Sequence, residues 1–229
     1  MNKTIDIRGV IVPDDDLWIY DWLEISATAP TTVRMALQEA NGEPVEVLIN
    51  SNGGDVFAGS EIFTLLRAYS GKVLIKIQSF AASAAAVIAM AGESEMSPIA
   101  QLMIHNVSGS ARGDHRNMEH AAEVLANANR AIATAFTAKT GKSEEDILAL
   151  MAKETWLTAE QAVKEGFVDR VMFAEGLKVS TDPVQLAASH GCGLLSNNTL
   201  SKMRQHFNRN SAKAKAAAQY DYLTLQEVK

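Results

Sequence analysis

A serine, a histidine and a pair of glycines carry the chemistry that this sequence could perform. Ser83 stands in Ser79-Phe80-Ala81-Ala82-Ser83-Ala84-Ala85-Ala86-Val87-Ile88, after the run Lys72 to Gln78 and before an Ala-rich apolar stretch. The β-branched run suits a strand and the apolar stretch a buried helix. A serine at that junction projects its hydroxyl beside the first N–H groups of a helix, which have no intrahelical partner. A nucleophile needs this placement: one accessible oxygen, and donors ready for the oxyanion that forms on attack. Serine is also a common N-cap, and small-residue helices often only pack closely, so Ser83 gains its meaning from its companions.

Two further segments supply them. Val45-Glu46-Val47-Leu48-Ile49-Asn50-Ser51-Asn52-Gly53-Gly54 reads as a strand running into a turn. Paired glycines permit φ > 0 and close backbone approach, which lets N–H groups point at a developing negative charge. Gln101-Leu102-Met103-Ile104-His105 reads as a short strand ending in a histidine. Its unperturbed pKa of about 6.5 suits a general base near neutral pH. Taken singly, a Gly-Gly turn or a terminal histidine is an ordinary structural feature. In one chain with Ser83 they fit acyl transfer by a serine nucleophile, with His105 as base and backbone N–H groups of Gly53, Gly54 and Ala84 as oxyanion donors.

The order of these pieces resembles the Clp protease proteolytic subunit (ClpP) family. The matching segments are Ile49 to Gly54, Ala81-Ala82-Ser83, Met103-Ile104-His105, and Trp156-Leu157-Thr158-Ala159-Glu160-Gln161-Ala162-Val163-Lys164-Glu165-Gly166-Phe167-Val168-Asp169. They extend over roughly residues 5 to 173. The resemblance implies a third triad member where the family has Asp; here Glu154 stands at that position, with Asp169 the rival. It implies a crotonase-like α/β fold of repeated ββα and βαβ units with a projecting handle helix. It also implies a strand, Asn106, Val107, Ser108 and Gly109, that pairs with an extended polypeptide substrate by β-augmentation. Homo-oligomeric rings or stacked rings are implied, and no cofactor or metal.

The beginning of the chain, Ile5-Asp6-Ile7-Arg8-Gly9, and its C-terminal tail look more like the phage and prophage members that mature capsid or scaffold proteins. The first strand starts near Thr4, which leaves little chain for the axial loops that grip an unfoldase; the expectation is therefore cleavage without a Clp ATPase. The alternatives are an ATP-dependent proteolytic subunit that degrades unfolded proteins, a crotonase-like hydratase or isomerase, and a ring-forming structural subunit. A hydratase would need acidic catalytic residues in place of Ser83 and His105.

The elements that position these residues alternate along the chain. Strand signals lie at Ile5–Ile11, Val45–Ile49, Val73–Gln78, Leu102–His105 and Val168–Phe173. Helical signals lie at Asp21–Ala27, Val33–Ala40, Phe57–Tyr69, Arg116–Thr140, Ser143–Ala152 and Ala159–Glu165. Gly141 should stop the longest helix, and Ser143 and Thr158 should cap the two that follow. Such alternation predicts a largely parallel sheet. Two regions are expected, a protease domain over 1–174 and a C-terminal extension over 175–229.

Composition sets the outer bounds. The chain has 229 residues, 47% of them hydrophobic, and a net charge of −6. That gives no support for nucleic-acid binding. One cysteine, Cys192, argues against a disulfide framework and fits a cytoplasmic setting, in a bacterial host or a phage prohead. No Cys/His cluster has zinc spacing and no apolar run is long enough to cross a bilayer. After Glu175 the tail carries seven Lys/Arg against three Asp/Glu, so the part before it is more acidic than the whole. A flexible linker with a helical end is the simpler expectation there, a docking segment the sharper one.

Overall fold

The computed structural model describes residues 3–173, 195 and 199–203. Its framework is an eight-stranded sheet in the order β2-β1-β3-β4-β5-β8, with β6 paired to β4 and β7 paired to β6. The strands are β1 (Lys3–Ile11), β2 (Ala27–Thr28), β3 (Val45–Gly54), β4 (Val73–Ala82), β5 (Glu93–Met96), β6 (Gln101–Ile104), β7 (Thr155–Thr158) and β8 (Arg170–Val171). Every pairing is parallel except β6 with β7. The helices are α1 (Asp14–Trp22), α2 (Pro30–Ala40), α3 (Val56–Ala68), α4 (Ala84–Ala89), α5 (His115–Thr140), α6 (Glu144–Ala152) and α7 (Ala159–Lys164).

The pleat explains the core. In β3, Val45, Val47 and Ile49 are buried while Glu46 and Leu48 are partly exposed. In β4, Val73, Ile75 and Ile77 repeat the pattern. These rows meet Ile62 and Leu66 of α3 and all six residues of α4 in one hydrophobic cluster. Alanine dominates α4 because the helix runs against α3: a Cβ added at Gly59 would lie 2.9 Å from the Ala84 Cβ.

One branch of the sheet matters for function. β4 pairs with β5 through Leu74–Ile77 and with β6 through Phe80–Ala82. Strand β4 therefore hands its far end to a different neighbour. The register Ala82↔Met103 brings the exits of β4 and β6 side by side, one leading to Ser83 and the other to His105.

Helix α5 is 26 residues long, so it spans about 39 Å. Asp114 accepts from the backbone N–H groups of Arg116 and Asn117, and Asn117 reciprocates in a capping box. Gly141, at φ 73°, closes its other end. Its buried residues, Ala133, Ala135 and Phe136, all lie in its C-terminal half. The N-terminal half has an exposed or half-exposed surface throughout.

The structure departs from the sequence reading in three places. The helix expected over Asp21–Ala27 lies earlier, at Asp14–Trp22, because three aspartates, Asp14, Asp15 and Asp16, sit in its first turn where the helix dipole favours them. Ala27 and Thr28 instead pair with Val10 and Ile11 as β2. Strands β5 and β7 were not expected. In β5 alternate residues are buried, Ser94 and Met96, while Glu93 and Glu95 ion-pair with Arg170, Lys72 and Lys76. Residues 106–112 pair with no strand of this chain; the pairing expected at Asn106 to Gly109 is with a substrate. Most of the C-terminal extension, 175–229, lies outside the described residues; residues 199–203 are helical. Among the described residues no helix is long and apolar enough to cross a membrane.

Candidate active site

Ser83 occupies the single residue between β4 and α4, with φ 56° and ψ −123°. A non-glycine residue at positive φ costs on the order of 1–3 kcal/mol and persists only where its surroundings hold it. They do so here on both sides. The Ser83 N–H donates to the Met103 carbonyl at 2.9 Å, and its own carbonyl accepts from Ala86 and Val87. Ser83 stands at the N-cap position, yet its side chain caps nothing. Its hydroxyl instead lies 2.8 Å from His105 Nε2. The two residues are 22 positions apart in sequence, and the parallel β4–β6 ladder brings them together.

The glycine turn lies directly beside the serine. Gly53 has φ 89° and Gly54 φ 153°. A Cβ on Gly53 would stand 2.6 Å from the Ala82 carbonyl oxygen, 2.8 Å from the Ser83 Cβ and 2.9 Å from the Ala84 nitrogen. A Cβ on Gly54 would stand 2.1 Å from the Ile11 carbonyl oxygen. Only glycine allows this backbone to pass so close to Ser83 and to β1.

The expected oxyanion donors separate into two groups. The Gly53 N–H is already engaged: it donates to Ser51 Oγ at 3.1 Å, and Ser51 Oγ donates to the Gly9 carbonyl at 2.6 Å. That bond must open for Gly53 to serve as an oxyanion donor. Gly54 lies beyond Ser51↔Ala81, the last pair of the β3–β4 ladder. Ala84 is the first residue of α4, so its N–H has no intrahelical acceptor. Ser51 was missed in the sequence. Its place in an Asn/Ser/Gly turn is the signal that could have found it, since such hydroxyls bond the backbone two residues on.

The two candidate third members bond to groups other than the pair. Glu154 is exposed, sits at φ 50°, and accepts from Trp156 Nε1 at 3.2 Å. Asp169 accepts from the Ser94 backbone at 2.7 Å, from Ser94 Oγ at 3.1 Å, and from Lys139. Among the described residues no carboxylate forms an ion pair with His105. Nor does any group of His, Cys, Asp and Glu among them have the makings of a metal site. Asn106, Val107, Ser108 and Gly109 lie immediately beyond His105; the Val107 N–H is held by Asn129 Oδ1 at 2.7 Å, and the other three residues are exposed.

Asp169 ties the chain just before β8 to β5 and α5. Burial pushes its carboxyl up, but the hydrogen bonds from Lys139 and Ser94 outweigh this and hold it below the usual aspartate range. A lowered folded pKa stabilises the protein above the unfolded value of about 4, and that stability is lost as pH falls through the folded value. Asp169 is partly exposed, so the effect is about 1 kcal/mol. Asp169→Asn should lower Tm at pH 7 by about 3 °C, and the gap from wild type should close on acidification. Its rate of Ser83 labelling by a serine-directed probe should stay within about twofold; a collapse of that rate would make Asp169 the third member instead.

Comparison with known proteins agrees with this geometry. Residues 8–175 match the family described as Clp protease. The chain is 30% identical to ATP-dependent Clp protease proteolytic subunit 2 of Pseudomonas aeruginosa, over 61% of this chain and 71% of that one. It is 33% identical to proteolytic subunit 1 of Streptomyces avermitilis, over 65% and 70%. A solved mutant of ClpP1 from Listeria monocytogenes superposes with a TM-score of 0.61 at 22% identity, covering 74% of this chain and 91% of that one. The mixed α/β architecture with its mostly parallel sheet is the crotonase-like fold of ClpP. With the match covering most of its length, the chain belongs to the Clp protease family.

Proposed function

We propose that this protein is a serine endopeptidase in which Ser83 is the nucleophile and His105 the general base. The observation that carries this is the 2.8 Å contact between Ser83 Oγ and His105 Nε2 at a strained strand-to-helix turn. Ser83 Oγ attacks the scissile carbonyl while its proton passes to Nε2. The tetrahedral oxyanion is received by the N–H groups of Gly54 and Ala84. The imidazolium then protonates the leaving amine, and water repeats the sequence to release the acyl group. Glu154 orients His105, a role in which its extra methylene over aspartate supplies reach. Residues 106–109 pair with the extended substrate as an added strand.

A fluorophosphonate probe tests the core of this reading. Phosphonylation at Ser83, located by peptide mass, together with hydrolysis of an unfolded protein, is the expected result. A hydratase or a decayed structural subunit would show neither.

The narrower role is maturation of a phage capsid or scaffold protein by homo-oligomeric rings in the bacterial cytoplasm or prohead, without an ATPase. A second reading, ATP-dependent degradation of unfolded proteins, is favoured by the relatives, which are subunits of ATP-dependent Clp proteases. Native mass measurement and two degradation assays separate them. Cleavage of a co-encoded scaffold without nucleotide supports the first. ATP-stimulated degradation of a folded tagged protein beside a Clp ATPase supports the second.

A further inference from the structure

The strand register contains an unused pairing. β6 and β7 run antiparallel with Gln101↔Thr158, Leu102↔Leu157, Met103↔Trp156 and Ile104↔Thr155. The next pair in that register is His105 with Glu154. Residues directly opposite in an antiparallel ladder have Cβ atoms about 4.5–5.5 Å apart and side chains on one face. The ladder stops one pair short of this arrangement. Glu154 turns to φ 50°, donates its N–H to the Met151 carbonyl at 3.1 Å, and accepts from the Trp156 indole at 3.2 Å. Trp156 is itself anchored by a stack on Phe80, with centroids 5.6 Å apart and planes 22° apart.

Resting on the peptidase reading above, we propose that Trp156 is a positioning residue: its indole N–H holds Glu154 away from His105, and the active state adds the pair His105↔Glu154 to the β6–β7 ladder. Each arrangement has a compensation. The parked state keeps the indole and Met151 hydrogen bonds but leaves a non-glycine residue at positive φ. The extended state relieves that strain, adds a rung, and gives the carboxylate to the imidazole. Contributions of this kind are similar in size, which is the condition for an element with two accessible states. Trp156 and Glu154 are two residues apart, so in an extended strand they share a face. The indole N–H and the imidazole N–H then compete for one carboxylate.

The test is the second-order rate of fluorophosphonate attack on Ser83 in the full-length protein. Trp156→Phe keeps a ring on Phe80 and removes the donor, and should raise the rate about tenfold, the worth of one hydrogen bond to a charged group. Glu154→Gln should lower it, and adding Trp156→Phe to Glu154→Gln should then change nothing. Trp156→Leu, which has no donor at all, should also raise the rate. Rates unchanged or lowered in both Trp156 variants would overturn the proposal. So would equal acceleration with and without the Glu154 carboxylate, because the stack alone would then be responsible. A measurement that leaves Trp156 intact is the set of indole N–H resonances. Glu154→Gln should shift one of the three; no shift would mean that no such bond exists. If the wild-type protein and every variant resist the probe while folded, the peptidase reading itself fails, and the inference with it.

Discussion

Ser83→Ala is expected to reduce peptide hydrolysis roughly a millionfold while leaving fold and Tm almost unchanged, as for loss of the nucleophile in a serine triad. The reason is local. The Ser83 backbone is fixed by bonds to Met103, Ala86 and Val87, all of which alanine keeps. The side chain caps no helix, so its hydroxyl contributes to His105 and little else. Alanine also inherits the positive φ without relieving or deepening it. Turnover of an unfolded protein substrate, measured beside circular dichroism and a melting curve, checks both halves. Residual turnover within tenfold of wild type would remove Ser83 from the chemistry.

Gly53→Ala should also be damaging, by a different route. The new methyl meets the Ala82 carbonyl, the Ser83 Cβ and the Ala84 nitrogen, all at under 3.0 Å. None of these is the tip of a flexible side chain, so the turn must move. Overpacking and the cost of alanine at φ 89° together should destabilise the protein by about 3 kcal/mol, a fall in Tm of about 10 °C. The displaced atoms belong to Ser83 and its neighbours. Activity per folded molecule should therefore fall at least about a hundredfold at temperatures where the fold survives. A variant of normal Tm and rate would mean that the glycine turn does not set the Ser83 geometry.

Local pattern and long-range register account for what could and could not be read in advance. The β-branched runs of β3 and β4, the Ala-rich α4 and the cap residues Ser143, Thr158 and Gly141 carry their structure in their own composition. Ser83 and His105 follow from them, because each lies just past the end of a recognisable strand. Strand β5 has no such signature: Glu-Ser-Glu-Met becomes a strand because Lys72, Lys76 and Arg170 on its neighbours meet its glutamates and the core receives Met96. Strand β7 is four residues long and antiparallel in a parallel sheet. Without it the register that runs up to His105 cannot be derived, and Glu154 can be proposed but not placed. The occupied N–H of Gly53 is likewise invisible without the Ser51 hydroxyl three-dimensionally beside it.

The uneven burial of α5 has a thermodynamic consequence. Its C-terminal half is held by Ala133, Ala135 and Phe136 in the core, but its first turns rest on the Asp114 cap and intrahelical bonds. A helix segment so supported is only marginally stable by itself in water. Its order is therefore linked to whatever covers it, and if the proposed rings cover it, mass action would make that part of the molecule firmer as protein concentration rises. In such an assembly one chain would have two stabilities: one intrinsic to the sheet and its packed helices, the other a property of the solution.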